Sequence, residues 1–224
     1  MKKCVLILAR GGSKSIPRKN LVKVGGNPLI SYPIKAALDA GFQEVWVSSE
    51  DSEIKEAARK FGAKVHTRPA HLAGDLSTDL QCFRDFFSQH KEYDYIIHLR
   101  ATSPQITPQI IHDAVEVFEK KYDKADSLRS VVQLDKSPFK TWFLEDDGYL
   151  APVVNGHNLH SVPRQILKEA YYQNACIDII KRDTIIEKDS MIGNKCLSYV
   201  MKEKYNIDID TEEDLHKAKN VLEG

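Results

Sequence analysis

Arg10, Lys14, Arg18 and Lys19 stand within twelve residues, in the stretch ARGGSKSIPRKN (9–20), around the adjacent glycines Gly11 and Gly12. Four cations on a turn that directly follows the apolar run VLIL suit a polyanion. Glycine lets a backbone come close, and free amides with basic side chains hold phosphate oxygens. The same residues could equally form a solvated basic turn, the common fate of Lys/Arg runs. The spacing is neither G-x-x-x-x-G-K-[ST] nor G-x-G-x-x-G, which argues against a P-loop and against a dinucleotide turn. A second cluster lies near the C-terminus, in NIDIDTEEDL (206–215). Asp208 and Asp210 are two apart on what reads as a strand end, so their carboxylates share a face. Such a pair suits a hard cation such as Mg²⁺, which takes one or two carboxylates plus phosphate oxygens and water. Alternatively, Asp210 or Thr211 caps the final helix, with Glu213 and Asp214 favouring its positive end. Taken together, a basic glycine turn and a carboxylate pair point to metal-dependent nucleotide chemistry, in which positioning and charge neutralisation carry most of the catalysis.

The elements that must position these groups alternate. CVLILA (4–9), EVWVSS (44–49), AKVHTR (63–68) and YIIHLR (95–100) read as strands, rich in Val and Ile. Between them PLISYPIKAALDAG (28–41), DSEIKEAARKFG (51–62), TDLQCFRDFFSQH (78–90) and TPQIIHDAVEVFEKKY (107–122) read as helices. Asp51 or Ser52 caps the second of these and Gly62 ends it; Thr107 and Pro108 make a cap and first turn. This rhythm predicts an α/β fold with a doubly wound, mostly parallel sheet and helices on both faces. Ligands of such sheets sit beyond the carboxyl ends of the strands, where the basic turn lies. From about 135 to 175 the rhythm breaks: Pro138, Gly148, Pro152, Gly156 and Pro163 mark an inserted β-rich arm, with EDDGY a hairpin turn. ACIDIIKR (175–182) and CLSYVM (196–201) return to strand composition, and the chain closes on an amphipathic helix.

The opening LILARGGSKSIPRKN resembles the signature of the CMP-sialic acid synthetases (acylneuraminate cytidylyltransferases), whose pattern runs ARGGSKGIPRKN. The likeness continues in order through RPAHLAGDLST (68–78), LRATSP (99–104), SPFKTWF (137–143), PRQ (163–165), NACID (174–178) and IDIDTEEDL (207–215). It implies a single Rossmann-like nucleotidyltransferase domain over 1–224, whose 135–175 arm contributes to a homodimer and to the sugar site. The implied reaction joins CTP to the anomeric hydroxyl of a nine-carbon α-keto acid sugar, with Mg²⁺, releasing pyrophosphate. By the same resemblance Arg10 and Lys19 hold the triphosphate and leaving group, with Asn20 beside them. Leu8, Ala9, Arg68 and Ser77 contact the nucleotide, and Asp208 and Asp210 bind the metal. Lys140, Arg164 and Gln165 engage the sugar acid. The chain departs from the family pattern at Arg100 and Ala101, where LQPTSP is common, so Arg100 stands between nucleotide and sugar. It departs again at Asp178, where NGAIY places an aromatic; at 189–195, which has no paired phenylalanines; and at Ser15, which replaces a glycine. The departures bear mostly on the acceptor. They leave open legionaminate, pseudaminate, deaminated nonulosonates, octulosonate, or a GTP or UTP donor, and, as a different class, a non-catalytic nucleotide-binding protein.

Bulk properties narrow the field. The chain has 224 residues, 42% hydrophobic and 29% charged, and its 32 basic and 32 acidic residues leave no net charge. That excludes a uniformly basic nucleic-acid binder while allowing a local basic patch. Cys4, Cys82, Cys176 and Cys196 are scattered, with no metal or disulfide spacing, which predicts free thiols. His98 and the other histidines match no ligand spacing. No apolar run is long enough to span a bilayer, and the expectation is a cytoplasmic protein.

Overall fold

The computed structural model describes residues 1–156, 158–202 and 208–223. Its strands are β1 (Lys3–Leu8), β2 (Lys23–Val24), β3 (Asn27–Pro28), β4 (Val45–Ser49), β5 (Lys64–Thr67), β6 (Tyr95–Arg100), β7 (Ser127–Gln133), β8 (Trp142–Leu144), β9 (Leu150–Pro152), β10 (Tyr171–Lys181) and β11 (Cys196–Val200). Its helices are α1 (Ser31–Asp39), α2 (Ser52–Lys60), α3 (Asp79–Gln89), α4 (Pro108–Glu119), α5 (Arg182–Ile186) and α6 (Glu212–Glu223). A seven-stranded sheet runs β11-β7-β10-β6-β1-β4-β5, all of its pairings parallel except those of β10, which is antiparallel to both neighbours.

Alternation along β1 sorts the two faces, because successive side chains of a strand point opposite ways. Val5 and Ile7 join the core under α1, α2 and α4, with Ile34, Ile54, Ile111 and Phe118. Cys4 and Leu6 face the other way, onto Phe83, Phe86 and Phe87 of α3 and Ile185 of α5. The helix starts follow the capping chemistry. Asp51 accepts from the Ile54 amide, Thr107 from the Ile110 amide, and Thr78 and Gln81 form a reciprocal box at α3. Gly62, at φ +92, ends α2 as expected. The EDDGY hairpin joins β8 to β9 through a Glu145–Tyr149 backbone bond and Gly148 at φ +84.

Three differences from the sequence reading have physical reasons. β7 was not anticipated because SLRSVVQ carries polar residues at buried positions: Ser127 and Ser130 are buried, and Arg129 lies opposite Asp178. β10 starts at Tyr171, not 175. It runs on past a bulge between Gln173 and Asp178, where Ala175 sits at φ +54. Asp208, Ile209 and Asp210 form no strand, and Asn206 and Ile207, the rest of that expected strand, lie outside the described residues. Of the cysteines, Cys4, Cys82 and Cys176 are buried and Cys196 is exposed, all four as free thiols. Among the described residues no helix is long and apolar enough to cross a membrane.

Candidate nucleotide site

A cavity of about 290 Å³ opens at the carboxyl ends of β1 and β6. Leu8, Arg10, Lys19, Asn20, Arg68, Asp75, Ser77, Asp79, Arg100 and Thr102 are among its lining residues. Of the residues expected to hold nucleotide, only Ala9 is missing from that wall; it is buried behind it, its amide bonded to the Ser48 carbonyl.

The basic turn is held in shape from several sides. Arg18 takes a left-handed backbone (φ +56) and leads into a 3-10 turn over Lys19–Leu21. The buried Asn20 donates from Nδ2 to the Arg10 carbonyl at 2.9 Å, closing the turn on itself. Gly11 packs against the α2 N-terminus so closely that a Cβ there would stand 2.6 Å from Asp51 Oδ2. Gly12 faces open space, so sterics explain only one of the two glycines.

The acidic pair is brought in by a hydrophobic anchor. Ile209 is fully buried with Ile16, Val24, Leu29, Leu215 and Ala218, a cluster that joins the basic turn, the β2–β3 hairpin and α6. Its amide donates to the Thr102 carbonyl at 2.9 Å. Burial of Ile209 thereby holds Asp208, half-buried, and Asp210, exposed, on either side of it. Lys19 Nζ donates to Asp210 Oδ1 at 2.8 Å and to the Ile209 carbonyl at 2.9 Å, across 191 and 190 residues of chain. The capping alternative is settled by Thr211 and Asp214. Asp214 accepts from the Thr211 amide, while the Asp214 amide donates to Thr211 Oγ1, the reciprocal bonds of a capping box. Asp210 gives only its amide to the cap, at 3.3 Å from Asp214 Oδ2, and its carboxylate accepts from Lys19.

Each cation on the wall meets a carboxylate. Arg10 pairs with Asp75 at 2.8 Å, Arg68 with Glu50 at 3.2 Å and Arg100 with Asp79 at 3.0 Å. Lys14 also reaches Asp75, and Arg18 pairs with Asp51 and Glu53. Hydrogen bonds from Lys14 and Arg10 hold the Asp75 carboxyl below its ordinary range. Asp208 behaves oppositely. Burial raises its pKa and the Asp210 charge adds to that, while the Thr102 hydroxyl, Arg100 and Lys19 pull it back. Asp208 Oδ1 is buried without a hydrogen-bond partner. An orphaned carboxylate oxygen beside a second carboxylate fits a hard divalent cation. Among the described residues no third His, Cys, Asp or Glu completes a metal site, so remaining ligands would have to come from elsewhere.

Residues expected on the sugar side are not gathered here. Arg164 and Gln165 line a separate groove of about 280 Å³ with Ser137 and Lys168, and Lys140 is exposed on the turn before β8. Asp178 is buried and accepts from Arg129 Nε at 2.7 Å, so it lines neither cavity. His98 is buried, bonded to the Leu6 carbonyl and set edge-on to Phe83, and burial lowers its pKa. Glu50, Asp75, Asp79 and Thr102 were missed by the sequence reading. Glu50 and Thr102 stand just past strand ends, a position that marks site residues in such sheets, whereas nothing local paired the acids with their cations.

A sequence model described as Cytidylyltransferase matches residues 4–223. The chain belongs to the cytidylyltransferase family. It is 38% identical over 211 residues to N-acylneuraminate cytidylyltransferase A of Danio rerio, covering 93% of this chain and 48% of that one. To the N-acylneuraminate cytidylyltransferase of Streptococcus agalactiae serotype V it is 29% identical, covering 96% of this chain and 52% of the relative. The chain thus spans about half the length of the curated relatives it matches. A CMP:2-keto-3-deoxy-manno-octonic acid synthetase solved with CTP superposes with a TM-score of 0.72, at 19% identity, over 100% of this chain and 99% of that one. This likeness supports the mostly parallel nucleotidyltransferase-type fold.

Proposed function

We propose that this cytidylyltransferase activates a nonulosonic (sialic-type) acid. The anomeric hydroxyl oxygen forms a bond to the α-phosphorus of CTP as the Pα–O–Pβ bond breaks, giving the CMP-sugar and pyrophosphate. The observation that supports the reading is the 2.8 Å contact between Lys19, which lines the cavity, and Asp210, which stands beside that lysine without lining the cavity itself.

Arg10 and Lys19 face the triphosphate, and Lys19 neutralises charge growing on the leaving pyrophosphate. Asp208 and Asp210 would hold Mg²⁺, which would supply charge neutralisation at the phosphates. Arg68 and Ser77, with Leu8 and Ala9, hold the nucleoside end. The substrate's anions compete with Asp75 and Asp79 for Arg10 and Arg100.

Lys140, Arg164 and Gln165 complete the acceptor site across a homodimer. Their distance from the cavity supports this, as does the row of exposed apolar side chains on the arm beside them, with Leu144 and Tyr149 each 75% exposed. The setting is taken to be the cytoplasm. A pyrophosphate-release assay with CTP and Mg²⁺ against a panel of nonulosonic and octulosonic acids tests the function. Release with a nonulosonic acid is expected; no release with any nonulosonic acid, or release only in parallel reactions where GTP or UTP replaces CTP, contradicts it.

A further inference from the structure

Glu50 has no role in the chemistry described above, yet it touches both ends of the cavity's wall. It follows Ser49, the last residue of β4, while Arg68 follows Thr67, the last of β5, and Ser49 and Thr67 are paired in register. The two side chains therefore leave neighbouring strand ends together. Glu50 Oε2 accepts from Arg68 Nη2 at 3.2 Å, and Oε1 accepts from the Gly11 amide at 2.7 Å. Arg68 is 5% exposed and its Nε has no partner, so its charge is nearly stripped of water. Its other contact, Nη1 to Cys82 Sγ at 3.0 Å, brings no compensating charge, because burial pushes the Cys82 thiol up and keeps it protonated. Glu50 makes the one ion pair of Arg68 among the described residues.

We infer that Glu50 is a positioning residue that couples the two halves of the nucleotide site. One oxygen fixes the guanidinium at the nucleoside end, and the other fixes the glycine turn at the triphosphate end. A buried guanidinium without its carboxylate carries an uncompensated charge and leaves its position, whereas a pair held at both ends presents a preorganised wall. The geometry of Gly11 fits this role: the turn lies so close to the α2 N-terminus that only glycine brings its amide to Glu50 without displacing Asp51.

The inference rests on the CTP reading, and titration calorimetry of the full chain with CTP and with inorganic tripolyphosphate, at fixed Mg²⁺, separates the two. Glu50→Gln offers one acceptor oxygen where Glu offers two, and in either orientation Arg68 loses its counter-charge. CTP affinity is expected to fall about tenfold or more. Tripolyphosphate affinity falls less, by roughly threefold, because the Gln side chain still offers one acceptor to the Gly11 amide, and kcat at saturating CTP holds within the same factor, because the reacting groups are untouched. Thermal melting checks that the variant folds. Arg68→Met with Glu50→Gln, which replaces the ion pair by neutral groups, supplies a second background. There Glu50→Gln adds less than about twofold to the loss caused by Arg68→Met alone. Losses that multiply as if independent, or an unchanged CTP affinity in Glu50→Gln beside a wild type that binds CTP, overturn the inference alone. A wild type that binds neither ligand overturns the CTP reading and the inference with it.

Discussion

Around the cavity, Arg10, Lys19, Arg68 and Arg100 each have a carboxylate within hydrogen-bonding reach, whereas along the arm between β7 and β10 the large side chains Trp142, Phe143, Leu144, Tyr149, Leu150 and Ile166 are exposed. The first region is completed by the chain that forms it. Its cationic wall is neutralised from within, which is how a basic turn coexists with zero net charge. The second region presents apolar surface that no described residue covers, with the cations expected to meet the sugar acid nearby. On the proposed function, the contrast separates two requirements: the nucleotide cavity is walled by this fold, whereas the proposed acceptor site awaits what covers the arm.

The sharpest way to break the contrast is to disable the completed region alone. Asp210→Asn is expected to lower turnover by about 1,000-fold or more, the loss of several kcal/mol of metal-borne charge stabilisation, while the arm and the oligomeric state are unchanged. Pyrophosphate release read beside analytical ultracentrifugation tells the two apart, and undiminished metal-dependent turnover removes Asp210 from its role. Lys19→Ala comes next. It should lower kcat about 100-fold with little change in KM for CTP, since charge on the leaving group grows in the transition state. A pure KM effect would reduce Lys19 to a binding residue.

The arm is tested from its own side. Leu144→Asp combined with Leu150→Asp places two charges on its exposed face. The pair is expected to convert a dimer to monomer and raise KM for the sugar acid about tenfold, with CTP affinity unchanged, as one truncated interface cluster commonly does. Loss of CTP binding in that variant would show that the two regions are not separable.

The smallest effect concerns stability. A carboxyl whose pKa is raised in the folded chain keeps its proton to higher pH than in the unfolded chain. Between the two values the folded state therefore binds more protons, and stability falls as pH rises through that window. Burial does this to Asp208, with the neighbouring Asp210 charge acting in the same direction. Asp208→Asn, measured without metal at neutral pH, is expected to melt on the order of 1–3 °C higher than wild type while losing turnover. A variant that melts lower would mean that Asp208 is already satisfied within the protein. As pH falls through its raised pKa the proton competes with the cation, so metal affinity should weaken there.

How much of this was legible in the sequence follows from the range of each signal. Asp51, Thr78 and Thr107 announce helix starts through bonds spanning three residues, and α2, α3 and α4 begin within one residue of those caps. Runs such as CVLIL and YIIHL sort themselves by β-propensity. β7 was hidden because its buried Ser127 and Ser130 find partners far along the chain: Ser127 Oγ donates to the Ile192 carbonyl and Ser130 Oγ accepts from the Ile177 amide. At the site, residue types suggested phosphate and metal chemistry, and Ile209 holds Asp208 and Asp210 beside the basic turn. The pairing of Arg10 with Asp75 and of Arg68 with Glu50 was not legible, since such contacts depend on which strand ends become neighbours. The sugar-side residues could be named only through the family resemblance, and the isolated chain does not bring them to the cavity.

The central claim is that the basic turn and the acidic pair meet on one metal-bound triphosphate. Crystals grown with CTP and Mn²⁺, with anomalous diffraction collected to locate the metal, test it most directly. One anomalous peak bound by Asp208, Asp210 and phosphate oxygens is expected, with the triphosphate against Arg10 and Lys19. A nucleotide bound elsewhere, or a metal-bound triphosphate that touches neither carboxylate, would contradict it.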